Sequence, residues 1–276
     1  MKTTTHRTTT TAPRGRRRRA LAALALTAGL FGSACSGSGS TAAPEPIAAS
    51  VPASPTSGTD GLPATTAPVA DPAASEQRAT LVVRSTVDLV VRDAPDPSSP
   101  SRVVPATNDF GSALALLVVG GQPGWAEVLL PGRPTGATGW LDLDASGAEV
   151  REITTAIEVD LAAKTLTVTD GGEVVLTTPV AIGTPEAPTP TGVFSVTDKL
   201  QDPNPNGPYG PFALGLSGRS DVLTDFAGGD GQIGIHGTND PSSIGTAASH
   251  GCIRVPNEVI VQLNELLPLG TPVVVR

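Results

Sequence analysis

Residues 157–169, Ile-Glu-Val-Asp-Leu-Ala-Ala-Lys-Thr-Leu-Thr-Val-Thr, decide the class of fold. Ile157, Val159 and Leu161 alternate with Glu158 and Asp160, and Leu166 and Val168 alternate with Thr165, Thr167 and Thr169. A period of two places one set of side chains on one face, so each run predicts a strand with a single buried side. Asp170-Gly171-Gly172 predicts a hairpin turn. Further strands are expected at Thr177–Ile182 and Val193–Thr197, and Thr271–Val275 is expected to close the sheet. One helix is visible, because Val259, Ile260, Leu263, Leu266 and Leu267 recur on one helical face. Asn257 is its candidate N-cap and Pro268 its terminator.

Toward the N-terminus the pattern stays β-rich. Leu81–Val83, Val87–Val91, Ala113–Val119, Trp125–Leu130 and Thr138–Leu143 are short apolar runs separated by Pro, Gly, Asp or Asn, the punctuation of a small all-β domain. Trp125 and Trp140, the two tryptophans of the chain, each follow a glycine here. A Gly-Trp pair on a strand predicts core packing before it predicts a ligand platform.

Residues 36–78 are Ser, Gly, Thr, Ala and Pro with almost no large apolar side chain. Such a tract cannot bury enough surface to offset the cost of ordering its backbone, and is expected to be a solvated, disordered linker. Ahead of it, Lys2, Arg7, Arg14 and Arg16–Arg19 make a basic start, and no Asp or Glu occurs before Glu45. Ala20–Ala34 is apolar and ends in small residues, so residues 1–35 have the form of an export signal. Gly32-Ser33-Ala34-Cys35 resembles a bacterial lipoprotein processing box, although Gly32 stands where an aliphatic residue is usual. Lipidation of Cys35 is therefore expected, with an ordinary cleaved leader as the alternative. The arginine run leaves Sec and twin-arginine export equally open.

Composition narrows the function. The chain has 276 residues, 18 basic and 26 acidic, and only 2 cysteines, too few for a disulfide scaffold. Removing the seven basic residues of the leader leaves 11 against 26, a net charge near −15. A surface that acidic excludes nucleic acid as an expected partner.

The chemistry gathers at Gly234-Ile235-His236-Gly237-Thr238 and Ala248-Ser249-His250-Gly251-Cys252-Ile253-Arg254-Val255. Both histidines outside the leader lie here, beside the one cysteine outside the processing box. If both segments are extended, Ile233 and Ile235 face the core with His236 opposite. His250, Cys252 and Arg254 then share one face against Ile253 and Val255. A thiol becomes a good nucleophile only as the thiolate, and a neighbouring imidazole can take its proton. Arg254 and the backbone N–H groups of Gly251-Cys252 would favour the thiolate and hold an oxyanion. Two other roles for Cys252 stay open on spacing alone: a zinc ligand with His236 and His250, or a small buried hydrophobe.

His236-Gly237, followed by Ser249-His250-Gly251-Cys252-Ile253-Arg254, resembles the signature of the L,D-transpeptidase catalytic domain, the YkuD type. Ile157–Leu166 with its hairpin, Val180–Gly183 and Thr189–Gly192 are similar to the first half of that domain, over residues 152–276. The resemblance implies an all-β sandwich carrying one helix. It implies an enzyme of peptidoglycan with donor and acceptor stem peptides as partners and with no metal or organic cofactor. Cys252 would be the nucleophile, attacking the carbonyl before the terminal D-Ala of a tetrapeptide stem to form a thioester. A diamino acid on a second stem would accept the acyl group and complete a 3→3 cross-link. His236 would carry the proton and the Gly237 carbonyl would orient its ring, with His250 and Gly251 completing the catalytic set. Ser249 and Arg254 would contact substrate, and Tyr209 and Phe212, in a Pro- and Gly-rich stretch beside the cleft, are further candidates. Hydrolysis by the same pair, an L,D-carboxypeptidase activity, is the alternative. Leu89–Pro95, Gly124–Val128 and Thr138–Leu141 resemble bacterial SH3-like modules, which implies a small β-barrel over residues 79–148. The whole would be exported to the cell envelope, tethered by its lipid to the outer face of the cytoplasmic membrane.

Overall fold

The computed structural model describes residues 79–225 and 229–276. The leader, Cys35 and the linker fall outside the described residues. Those that are described form an all-β architecture with a single α-helix and belong to one compact unit.

The first seven strands are β1 (Thr80–Ser85), β2 (Leu89–Arg92), β3 (Ser101–Val104), β4 (Leu114–Gln122), β5 (Trp125–Leu129), β6 (Thr138–Asp142) and β7 (Glu149–Ile153). They form one sheet in the order β3-β2-β6-β5-β4-β1-β7. Its core is Val83, Leu89, Val91, Leu116, Ala126, Val128, Leu130 and Leu141. Ala126 and Val128 point into that core, so their strand neighbours Trp125 and Glu127 must point out of it. Trp125 and Trp140 are accordingly half-buried and lie outside the core, against the expectation from sequence. Gly139 shows why: a Cβ there would meet Val91 Cγ1 at 2.4 Å, so the inward position of the Gly-Trp pair belongs to the glycine.

One residue, Thr154, separates β7 from β8 (Thr155–Asp160). The second half continues through β9 (Thr165–Asp170), β10 (Glu173–Pro179), β11 (Ile182–Gly183), β12 (Gly192–Gln201), β13 (Phe212–Arg219) and β14 (Gln232–His236). After these come β15 (Ala247–Ser249), β16 (Ile253–Arg254), α1 (Asn257–Leu266) and β17 (Pro272–Val275). Eight of these strands align as β10-β9-β8-β17-β12-β13-β14-β16, and β11 pairs in parallel with β15. The alternation at 157–169 is realised directly, since Ile157, Val159, Leu166 and Val168 are all buried. Gly171 and Gly172 both have positive φ, 57° and 94°, as a two-residue hairpin between β9 and β10 requires.

Helix α1 packs on β13 and β14 and buries Ile260 and Leu263. Its N-cap is Pro256, not Asn257. The Asn257 side chain turns away from its own helix and accepts the Thr238 N–H at 2.7 Å, bracing the segment that follows His236.

The two sheets are tied by named bonds. Gly132 N–H donates to Ser217 O at 3.0 Å, Thr135 Oγ1 accepts from Arg219 N–H at 3.0 Å, and Asn108 Nδ2 donates to Asp198 Oδ1 at 2.5 Å. Arg133 Nη2 reaches the carbonyls of Ser220, Leu223 and Asp230 at 2.8, 3.2 and 3.1 Å. These contacts fix the first sheet against the β12–β14 side of the second, the side on which the candidate site opens.

Candidate active site

His236 ends β14 and Cys252 directly precedes β16. The two strands pair in parallel with Ile235 opposite Ile253 and His236 opposite Arg254. That register sets Cys252 beside Gly234, whose backbone N–H favours the ionised form of the thiol. Ile233, Ile235, Ile253 and Val255 are buried, so the apolar half of each segment anchors in the core and the reactive half faces outward. His236 and Cys252 line one cleft of about 510 Å³, together with Tyr209, Leu200, Asp202 and Phe110.

The imidazole is oriented by a single bond. Its Nδ1 lies 2.6 Å from the Gly237 carbonyl oxygen. A carbonyl can only accept, so Nδ1 carries the hydrogen and Nε2 is left as the basic nitrogen. Tyr209 stands edge-on to the same ring, centroids 4.8 Å apart at 61°, and covers it from the cleft mouth.

Burial sets the resting protonation state. It pushes His236 down to about 4, assisted by the nearby Arg254 charge and opposed by the Gly237 bond. It also pushes the Cys252 thiol above its ordinary value, against the pull of the Gly234 N–H and Arg254. At neutral pH both partners are therefore uncharged, a thiol facing a free base rather than a thiolate–imidazolium pair.

The segment that carries Cys252 departs from the extended form expected for 250–254. Gly251 has φ of 112° and turns the chain between β15 and β16. Strict alternation ends there, so His250 is exposed and does not line the cleft with Cys252. The zinc arrangement of Cys252, His236 and His250 loses its third member for the same reason, and no three His, Cys, Asp or Glu side chains converge among the described residues. Ser249 is buried and locks this turn: its Oγ donates to Cys252 O at 2.5 Å and accepts Gly251 N–H at 3.1 Å. It shapes the Cys252 loop, and its hydroxyl proton is committed to the Cys252 carbonyl.

Arg254 does not line the cleft either, yet its charge acts on Cys252, His236 and Tyr209. Its Nε is buried without a hydrogen-bond partner. Phe212 packs against the hydrophobic core rather than the cleft, and its carbonyl accepts the Gly237 N–H at 3.4 Å. The Gly234 N–H, Asn257 and Phe110 were not apparent from the sequence. The first is a backbone group in a glycine position, and the other two act on residues remote from them in the chain.

Residues 154–275 match the YkuD family, described as the L,D-transpeptidase catalytic domain. That stretch of the chain is similar to the YkuD-type catalytic domain. The YkuD protein of Bacillus subtilis (strain 168) is 40% identical over 120 residues, and that of Bacillus licheniformis is 39% identical over 117. These alignments take in 44% and 42% of this chain, and 65% and 62% of those relatives, so the chain spans just under two thirds of their length. A solved structure of the catalytic domain of an E. faecium L,D-transpeptidase, acylated by ertapenem, is 31% identical. It covers 46% of this chain and 99% of its own, with a TM-score of 0.33.

Gly237 is sterically bound to its place beside His236. A Cβ at that position would meet Asn257 Oδ1 at 2.3 Å, Gly210 Cα at 3.0 Å and Ile260 Cγ2 at 3.2 Å. Relief by moving Asn257 would break its bond to Thr238 and shift the carbonyl that orients His236. Gly237→Ala should lower the rate of Cys252 acylation by about tenfold to a hundredfold, the scale of a catalytic group misplaced by an ångström. Stopped-flow or mass-resolved acylation kinetics measure it, and an unchanged rate would remove the orienting role from Gly237.

Proposed function

We infer that the chain is an exported peptidoglycan L,D-transpeptidase that makes 3→3 cross-links through a thioester on Cys252. The observation that carries this is the His236 ring, held by the Gly237 carbonyl with Nε2 free in the same cleft as the Cys252 thiol.

In the first half-reaction His236 Nε2 takes the thiol proton as sulfur attacks the carbonyl carbon between stem residue three and the terminal D-Ala. The developing oxyanion draws on the positive field of Arg254 and on the backbone N–H of Cys252, the Gly251 N–H being already taken by Ser249 Oγ. The C–N bond breaks, the proton passes from His236 to the departing D-Ala amine, and the thioester remains. In the second, the side-chain amine of an acceptor stem gives its proton to His236 and attacks the thioester. The C–S bond breaks, the new amide forms, and His236 returns the proton to sulfur.

The first sheet is proposed to be an SH3-like wall-associated module, and the leader to place the protein in the envelope through lipid on Cys35. Mass spectrometry of muropeptides after incubation with the purified protein tests the reaction. Cross-linked dimers with release of D-Ala are expected. Tripeptides without dimers would assign the protein to L,D-carboxypeptidases, with water in place of the acceptor amine.

A further inference from the structure

We propose that Phe110, contributed by the first sheet, is a specificity-determining residue of the transpeptidase cleft that packs on the part of the donor stem remote from the scissile carbonyl. This rests on the reaction proposed above.

Phe110 is 60% exposed, and it lines the cleft that holds Cys252 and His236 although it belongs to the connection between β3 and β4. A lone exposed aromatic is ordinary on a protein surface. This one is presented by a built turn. Asn108 Oδ1 accepts the N–H groups of Phe110 and Ser112, each at 3.0 Å. Gly111 N–H donates to Asn108 O at 2.9 Å, and Thr107 and Ala113 bridge across the base.

The turn is also fastened to the catalytic domain. The Asn108 amide donates to the carboxylate of fully buried Asp198, which accepts from Gln232 Nε2 at 3.0 Å and Thr197 Oγ1 at 2.8 Å through its other oxygen. A buried carboxylate with its acceptor sites filled gives the turn one position. That position holds the benzyl group over the cleft wall.

Its place along the cleft sets what it can touch. Gln232, the first residue of β14, lines with Phe110 both the cleft and a smaller adjoining cavity, whereas His236 ends the same strand. Cys252 lies beside Gly234, two residue steps or about 7 Å along the strand from Gln232, within reach of the two stem residues that precede the third. Between them Gly215, Ile233 and Gly234 line the cleft. A stem acylating Cys252 at its third residue would carry its other end toward Gln232 and Phe110. Ertapenem acylates through its β-lactam carbonyl and supplies neither of those two stem residues.

The test compares two acyl donors on the full chain, wild type and Phe110→Ala. Tetrapeptide turnover is followed by D-Ala release, and ertapenem acylation by intact mass. Phe110→Ala should raise KM for the tetrapeptide about tenfold, the scale for loss of a central aromatic contact, with kcat within twofold. Its ertapenem acylation rate should stay within twofold of wild type, which also shows that the variant is folded. Phe110→Leu should recover part of the lost KM. Equal KM values for wild type and Phe110→Ala would overturn the assignment, as would equal losses on both donors. A wild-type protein that releases no D-Ala would instead overturn the underlying reaction, and the assignment with it.

Discussion

Cys252→Ala will form no adduct with ertapenem and will release no D-Ala from a tetrapeptide donor, a loss of at least about four orders of magnitude in rate. The size follows from what surrounds the sulfur. The nearest hydroxyl on the same loop, Ser249 Oγ, is buried and already engaged by the Cys252 carbonyl and the Gly251 N–H, so it cannot replace the thiol as nucleophile. Cys252 is also the free cysteine among the described residues. The substitution removes one atom at the cleft and leaves the buried neighbours Ile253 and Val255 in place, so the fold should survive it. Intact mass spectrometry reads the result directly. Wild type should gain the mass of one ertapenem, and the variant none. An adduct that persists in Cys252→Ala would place the nucleophile elsewhere.

What could be read from the sequence follows the distinction between one buried face and none. Strands β8 and β9 show clean alternation because one side of each lies in the core, and the Gly171-Gly172 turn announces itself through the conformation it needs. Strand β7, Glu-Val-Arg-Glu-Ile, is exposed along most of its length, so it carries no period, and it joins the first sheet just after the 79–148 stretch that resembles SH3-like modules. β3 has the same character and was not legible either. At the site, His236 and Cys252 were identifiable from residue chemistry and motif. The exposure of His250 was not, because Gly251 at φ 112° breaks the strict alternation between β15 and β16. Asn257 looked like a cap from its place before the helix, but its carbonyl oxygen serves Thr238, nineteen residues earlier. Phe110 sits in a stretch that reads as an ordinary Asn-Asp-Phe-Gly turn. Only the bond from Asn108 to Asp198, ninety residues away, brings it to the cleft.

His236→Gln should lower Cys252 acylation by about a hundredfold to ten-thousandfold, the contribution of a positioned general base. The pH dependence distinguishes this role from a merely structural one. With His236 held down to about 4 by burial, the imidazole stays unprotonated and able to accept a proton until the medium approaches that value. The wild-type acylation rate should therefore be nearly level through the neutral range and fall on the acid side with a midpoint near 4. His236→Gln should lack that limb, because glutamine has no proton to gain. On the alkaline side the thiol is raised above its ordinary value, so simple alkylation by iodoacetamide should be slow at pH 7 and rise only above the usual thiol range. A resting thiolate–imidazolium pair would behave in the opposite way: alkylation would already be fast below pH 7, and the imidazole would titrate above its ordinary value. The same shift acts on folding. A histidine whose value is lower in the folded state than in the unfolded chain binds fewer protons when folded, so stability is lost as pH falls from about 6.5 to about 4, by about 3 kcal/mol. Urea unfolding at pH 7 and pH 4 should show that loss in wild type and a smaller one in His236→Gln. Equal losses in both proteins, together with an acid limb centred near 6.5, would mean that His236 is not the buried neutral base on which the mechanism depends.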